Sequence, residues 1–176
     1  IIADTYYIQK NTDFNSFLNK LYNFKTDYFK KYRNNELNDK FNINELMIIG
    51  SLLEKEGKDN FDKKLIFSVI QNRLNKNMKL QLDATTIYAI TDGKYDLERD
   101  LKLKDLKIKH PYNTYYIKGL PPTPISYVGK KTMELIYENY TSEYLYYFYN
   151  NIKKKHIYSE TYEDHKRKLS EYRSKK

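Results

Sequence analysis

Apolar residues recur at helical spacing through Phe14, Phe17, Leu18, Leu21, Phe24 and Tyr28, with Thr12 or Asp13 placed to cap, so a first helix is expected here as packing material. The polar stretch 33–40 reads as a loop or weak turn that delivers the chain to Asn42. A stronger signal begins there. Asn42 and Glu45 have capping-box spacing, and Phe41 with Leu46 can form a hydrophobic staple, so a second helix should start at this point. On its wheel Glu56 lies with Ile49, Leu52 and Leu53, the most apolar sector, whereas Glu54 falls near Met47 and Gly50. Gly57 to Asn60 reads as a break, and a further helix covers roughly Asp62 to Lys76, with Leu65, Val69 and Asn72 on one face and Ile66, Ile70 and Arg73 on the next.

Beyond it, Ile87, Tyr88 and Ile90 make an apolar turn closed by Asp92-Gly93, and residues 94–110 read as a charged excursion around a short helical piece. Tyr6 to Ile8 and Tyr112 to Ile117 have strand character. Gly119 to Ile125, rich in proline, is a rigid loop suited to the wall of a cleft. Val128 to Tyr140 returns to helical spacing. Tyr144 to Tyr149 and His156 to Tyr158 suggest a hairpin across Asn150-Asn151, and Thr161 with Asp164 opens a last helix. The expected fold is α+β: a mostly helical single domain with a small sheet or hairpins and an acid at the end of a buried helix.

The 176 residues make one domain's worth of chain. A net charge of +9 favours an anionic partner: nucleic acid, lipid headgroups or an acidic cell-wall polymer. The lysines are spread through Lys/Asn/Asp mixtures without a basic groove motif, which argues against nucleic acid. Absence of cysteine excludes disulfides, thiol nucleophiles and thiolate metal sites. Twenty tyrosines and no tryptophan leave tyrosine as the available sugar-stacking surface. No apolar run reaches the roughly 18 residues of a membrane span. The chain begins Ile1-Ile2-Ala3, without methionine, and so reads as an excised piece whose membrane anchor, if any, is expected upstream.

The chain has no Gly-rich phosphate loop, His-Glu-x-x-His or nucleophile elbow, and the spacing of His110, His156 and His165 supports no metal site, so neither metal nor cofactor is expected. Carboxyl chemistry remains, through Glu54, Glu56 and Asp83, with Asn72, Gln81 and Asn113 as possible positioners. A carboxyl group on an apolar stripe must be paired or kept protonated by desolvation, and the second state is what a general acid needs. The alternative is that the helix frays after Leu53 and both acids are solvated. A buried Glu among tyrosines and amides suits protonation of a glycosidic oxygen. Two carboxylates would point to hydrolysis, whereas one suffices if the sugar's own hydroxyl is the nucleophile.

Four blocks stand out along the chain: Ser51-Leu52-Leu53-Glu54-Lys55-Glu56; Ser68-Val69 through Asn72-Arg73-Leu74 to Met78, Leu80-Gln81, Asp83 and Thr86-Ile87-Tyr88; Tyr112-Asn113-Thr114-Tyr115 with Gly119-Leu120-Pro121-Pro122; and Tyr144-Leu145-Tyr146, His156 to Ser159 and His165. In these blocks, and in their order, the sequence resembles the catalytic region of the YceG-like, or MltG, family of endolytic murein transglycosylases. The resemblance covers residues 1–176 as one catalytic domain. It implies that Glu56, the second acid of Glu-Lys-Glu, protonates the bond between N-acetylmuramic acid and N-acetylglucosamine in nascent peptidoglycan. As its conjugate base Glu56 would then take the C6 hydroxyl proton, leaving a 1,6-anhydromuramic end. Glu54, Asn72, Gln81, Asp83, Tyr88, Tyr112, Asn113, Thr114 and Tyr115 are the expected cleft lining, each with a buried structural role as the alternative. A non-catalytic peptidoglycan-binding module is the rival function. The family implies an upstream membrane helix and a small LysM-like domain. It also implies a catalytic domain on the outer face of the cytoplasmic membrane and cell-wall synthases, the penicillin-binding proteins, as partners. Two departures stand out. Asp83-Ala84-Thr85 replaces Asp-Pro-Thr, and Pro122-Thr123 replaces Pro-Pro-Gly, which is expected to restrict that loop.

Overall fold

Side-chain caps at Asp13, Asn42, Asp59 and Thr161 set where most of the long helices begin. The computed structural model describes residues 1–175, and the elements run β1 (Ile2–Ala3), α1 (Phe14–Lys30), α2 (Ile43–Glu56), α3 (Asn60–Asn75), α4 (Asp83–Thr91), β2 (Val128–Gly129), α5 (Lys130–Tyr137), β3 (Tyr146–Asn150), β4 (Lys155–Ser159) and α6 (Tyr162–Arg173). The fold is mostly helical α+β, as the periodicity predicts. At the start of α2, Asn42 Oδ1 accepts from the N–H groups of Asn44 (2.9 Å) and Glu45 (3.1 Å), while Glu45 Oε2 accepts from the Asn42 N–H (2.8 Å), completing the capping box.

Helix α2 is the spine. Every residue from Leu46 to Leu53 is buried. Leu46, Ile49, Leu52 and Leu53 pack with Ile66, Phe67 and Ile70 of α3 and with Met133 and Ile136 of α5. Each such side chain contributes about 1.5–3 kcal/mol, so rotating α2 about its axis is strongly opposed. Helix α2 stops where α3 crosses it. Gly57 has an extended backbone, and a Cβ there would sit 2.3 Å from Lys63 Cγ, so glycine is needed for close approach rather than for a left-handed turn. Strand β1 pairs in parallel with β2, Ile2 opposite Val128, both fully buried. Strands β3 and β4 form an antiparallel hairpin with Tyr147 opposite Tyr158 and Tyr149 opposite His156, and α6 packs on it.

The structure departs from the expected elements in four places. Tyr6 to Ile8 is not a strand; the pairing residues are Ile2–Ala3. Tyr112 to Ile117 forms successive turns, organised by the Asn113 side chain as described below. Residues 83–91 are a full helix rather than an apolar turn. Finally, α5 is shorter than Val128 to Tyr140, because Val128–Gly129 pairs with β1 and Asn139 turns left-handed at φ 49°. Among the described residues no helix is long and apolar enough to cross a membrane.

Candidate active site

The two acids at the end of α2 are separated by the helix itself, since neighbours two residues apart face different ways. Glu54 turns into a structural tie: its Oε2 meets Lys63 Nζ at 2.5 Å, and its Oε1 accepts the Gly129 N–H at 3.0 Å. Burial works to raise its pKa, but Lys63 and the Gly129 N–H outweigh it and hold the carboxyl below its usual range. Glu54 is therefore an ionised clamp joining α2 to α3 and β2. It is not brought to Glu56's side.

Glu56 is in the opposite condition. The residue keeps some open surface, but its carboxyl group is packed between β3 and the start of α4. Oε2 accepts from the Tyr147 hydroxyl at 3.1 Å, and Oε1 from the Ala84 N–H at 3.4 Å. Leu82, the N-cap of α4, gives that helix no side-chain hydrogen bond, so Glu56 supplies from a distant part of the chain the anion that the helix N-terminus favours. Burial raises Glu56 above the usual carboxylate range. Tyr147, the Ala84 N–H and His156 pull it down and Asp83 pushes it up, and the net direction is upward. The Tyr147 ring is half-buried, but its hydroxyl is closely packed, and this burial together with the Glu56 charge drives its phenol well above the ordinary value, so it stays protonated. A hydroxyl both donates and accepts, so Tyr147 can serve Glu56 in either protonation state.

Asp83 opens α4 and is exposed; its Oδ1 accepts from the Tyr115 hydroxyl at 2.6 Å. Glu56, Asp83 and Tyr115 come together in the structure, joined by Tyr147 and by the buried Arg73. The Arg73 guanidinium donates to the carbonyls of Leu80 (2.6 Å) and Leu145 (2.7 Å) and ties the chain before α4 to the hairpin. Gln81, exposed and left-handed at φ 51°, donates its N–H to the Thr114 carbonyl at 3.2 Å.

Other expected lining residues are placed beneath the site. Asn113 is fully buried and every polar atom of its side chain is used. Its Oδ1 accepts from Thr86 Oγ1 (2.9 Å) and the Tyr115 N–H (3.0 Å), and its Nδ2 donates to the carbonyls of Leu106 (3.1 Å) and Ile108 (2.8 Å). Thr114, also fully buried, accepts the Leu82 N–H at 2.9 Å and shares a hydrogen bond with Thr85 at 2.8 Å. Asn72 donates to the carbonyls of Ser142 (2.7 Å) and Tyr144 (2.9 Å), holding the approach to β3. These residues position the site.

Tyr88 and Tyr112 pack ring to ring at 4.7 Å, and the Tyr112 hydroxyl meets Thr123 Oγ1 at 2.5 Å. Thr123 does not take a positive φ, so threonine costs the proline loop nothing and adds a crosslink. The loop is pinned to α2 where Ile125 N–H donates to Ser51 Oγ at 3.0 Å. Along α4 and the segment after it runs a cleft of about 530 Å³, lined by Lys55, Ala84, Ile87, Tyr88, Tyr95 and Ile125; of the expected lining residues Tyr88 takes part, and Ala84, bonded to Glu56, marks where the cleft approaches the acid. A larger groove of about 770 Å³ lies at the opposite end of α2, around Phe29, Phe41 and Tyr137, and touches none of these groups.

Behind Tyr147, Asp62 accepts from Tyr158 (2.6 Å) and from the Lys58 N–H (2.8 Å) and lies 2.8 Å from His156 Nδ1. Tyr147, Asp62 and His156 carry no local signal as site residues. Only the docking of the hairpin brings Tyr147 to Glu56 and His156 to Asp62 of α3.

The YceG-like family model matches residues 1–171. The chain belongs to the YceG-like family. It is 34% identical over 150 residues to an endolytic murein transglycosylase of Bacillus subtilis, covering 85% of this chain and 40% of that protein. A Streptococcus pneumoniae protein of the same name is 32% identical over 172 residues, 96% of this chain and 31% of that protein. The chain therefore spans two-fifths or less of these relatives. In three dimensions this YceG-like chain is similar to a crystal structure of a yceG-like protein from Listeria monocytogenes, with TM-score 0.75 and 35% identity over 92% of this chain and 52% of that one.

Proposed function

We propose that this YceG-like chain is the catalytic part of an endolytic peptidoglycan transglycosylase, with Glu56 as its single acid–base group. The observation that carries the reading is a carboxyl group whose burial favours the protonated form, at the edge of a tyrosine-walled cleft. The names of the relatives support the substrate class.

The step balances without water. Glu56 gives its proton to the oxygen linking N-acetylmuramic acid to N-acetylglucosamine, the bond from that oxygen to the muramic C1 breaks, and the departing sugar leaves as a hydroxyl. The C6 oxygen of the same muramic residue then bonds to C1, and its proton returns to Glu56, restoring the acid and leaving a 1,6-anhydro end. Ring closure gains from proximity, since nucleophile and electrophile belong to one sugar. Tyr147 and the α4 N-terminus stabilise the carboxylate between the two transfers, and Glu54 fixes the helix that carries it. Such a substrate lies outside the cytoplasmic membrane. The proposal therefore includes a membrane-held protein with this domain on the outer side, working beside cell-wall synthases such as penicillin-binding proteins.

The test is digestion of glycan strands by the intact protein in heavy-oxygen water, read by mass spectrometry. Anhydro ends without label are expected. Reducing muramic ends carrying the heavy isotope would mean hydrolysis, and strands bound but uncut would mean a binding module.

A further inference from the structure

Glu56 is not the only acid at the mouth of α4. Asp83 is the first residue of that helix, and the next residue's N–H is the one that reaches Glu56 Oε1. The carboxylates therefore share one helix start, Glu56 on the packed side and Asp83 on the exposed side. Asp83 is not mobile decoration. The Tyr115 hydroxyl fixes its Oδ1 at 2.6 Å, and Tyr115 is held by its own N–H donating to Asn113 Oδ1 at 3.0 Å, inside a fully buried amide. Oδ2 accepts no hydrogen bond from the described residues. A chain of contacts rooted in the buried Asn113 thus presents one free carboxylate oxygen on the exposed side of the helix start that Glu56 meets.

We propose that Asp83, held by Tyr115, is the second working carboxylate of this site, a fixed negative charge facing the sugar carbon that becomes cationic as the glycosidic bond breaks. This deepens the reading of Glu56 above and rests on it. Asp83 forms no bond to carbon in the step; it acts through its field, where pre-set charge lowers the cost of a developing cation. It acts on Glu56 as well. Glu56 is faced by Asp83 of α4, by Tyr115 of the turn segment, by Tyr147 of β3 and by His156 and Tyr158 of β4, with Arg73 of α3 beyond the two phenols. Of these, Asp83 is the carboxylate whose charge favours the protonated acid. Tyr115 is a positioning residue, its phenol kept protonated by burial and by Asp83.

The experiment uses the intact protein on glycan strands with wild type, Asp83→Asn, Tyr115→Phe and Glu56→Gln, measured across pH. Asp83→Asn is expected to lower kcat roughly tenfold or more with KM within about threefold, because the charge acts on the transition state. Its alkaline limb, where Glu56 loses the proton it must donate, should move down by about half a pH unit or more. Tyr115→Phe should move both quantities the same way by less, and if Asp83→Asn fails to fold it carries the test alone. An unchanged kcat and limb, or a change confined to KM, overturns the role for Asp83. The failures are distinguishable: Glu56→Gln inactive with Asp83→Asn normal sinks only this inference, whereas full activity in Glu56→Gln sinks the reading beneath it.

Discussion

Removing one oxygen from Tyr147 isolates what the hydroxyl does for Glu56. The ring is half-buried and meets His156 edge-on at 5.1 Å, so Tyr147→Phe keeps the packing. A hydrogen bond to a charged group contributes about 1.5–3 kcal/mol, so kcat should fall roughly 10- to 100-fold. Because the hydroxyl favours the Glu56 carboxylate, its loss should move the alkaline limb to higher pH, opposite to Asp83→Asn; kinetics across pH separate the two. Glu56 also has a signature in stability. Its folded pKa lies above the unfolded one, so the contribution is complete below the unfolded value and is lost as pH rises through the folded value. Glu56→Gln should therefore melt a few degrees higher than wild type near neutral pH and lose that advantage in acid, by calorimetry across pH. Which acid of Glu54-Lys55-Glu56 is desolvated and which is ion-paired follows from their different faces on the helical wheel: Glu56 packs against Tyr147 and the start of α4, and Glu54 meets Gly129 and Lys63. Tyr147 was not legible, because 91 residues separate it from Glu56 and only the hairpin's docking joins them.

Among the elements, the turn segment from Tyr112 to Ile117 shows why local pattern misled. Aromatic and β-branched residues favour a strand in isolation. Here one buried amide replaces the ladder: Asn113 satisfies two carbonyls, a hydroxyl and a backbone N–H, which bends the chain around it. Asn113→Ala would leave those groups unpaired, and roughly 2–4 kcal/mol of stability should be lost by denaturant titration. Hydrogen exchange should locate the loosening at residues 106–117 and the start of α4. Loss of activity without loss of stability would mean that Asn113 meets substrate instead. Helix α4 has the complementary history. Its N-terminus lacks a local cap because Glu56 provides the partner, so the element and the Glu56 carboxyl each complete the other. The helices with their own caps at Asp13, Asn42 and Thr161 needed no such help and were readable from sequence.

Across the whole molecule, α2 converts a core into a poised acid. Its buried flank from Leu46 to Leu53 sets the rotation, Gly57 lets α3 pass close, Lys63 and Gly129 hold Glu54, and the carboxyl two residues on meets the α4 N-terminus and the hairpin. The most direct measurement compares wild type with Glu56→Gln in the intact protein on purified glycan strands, counting anhydromuropeptides by mass spectrometry after confirming that the variant is folded. Anhydro ends from wild type and none above background from the folded variant are the expected result. Undiminished anhydro ends from Glu56→Gln would contradict the assignment of the acid to Glu56.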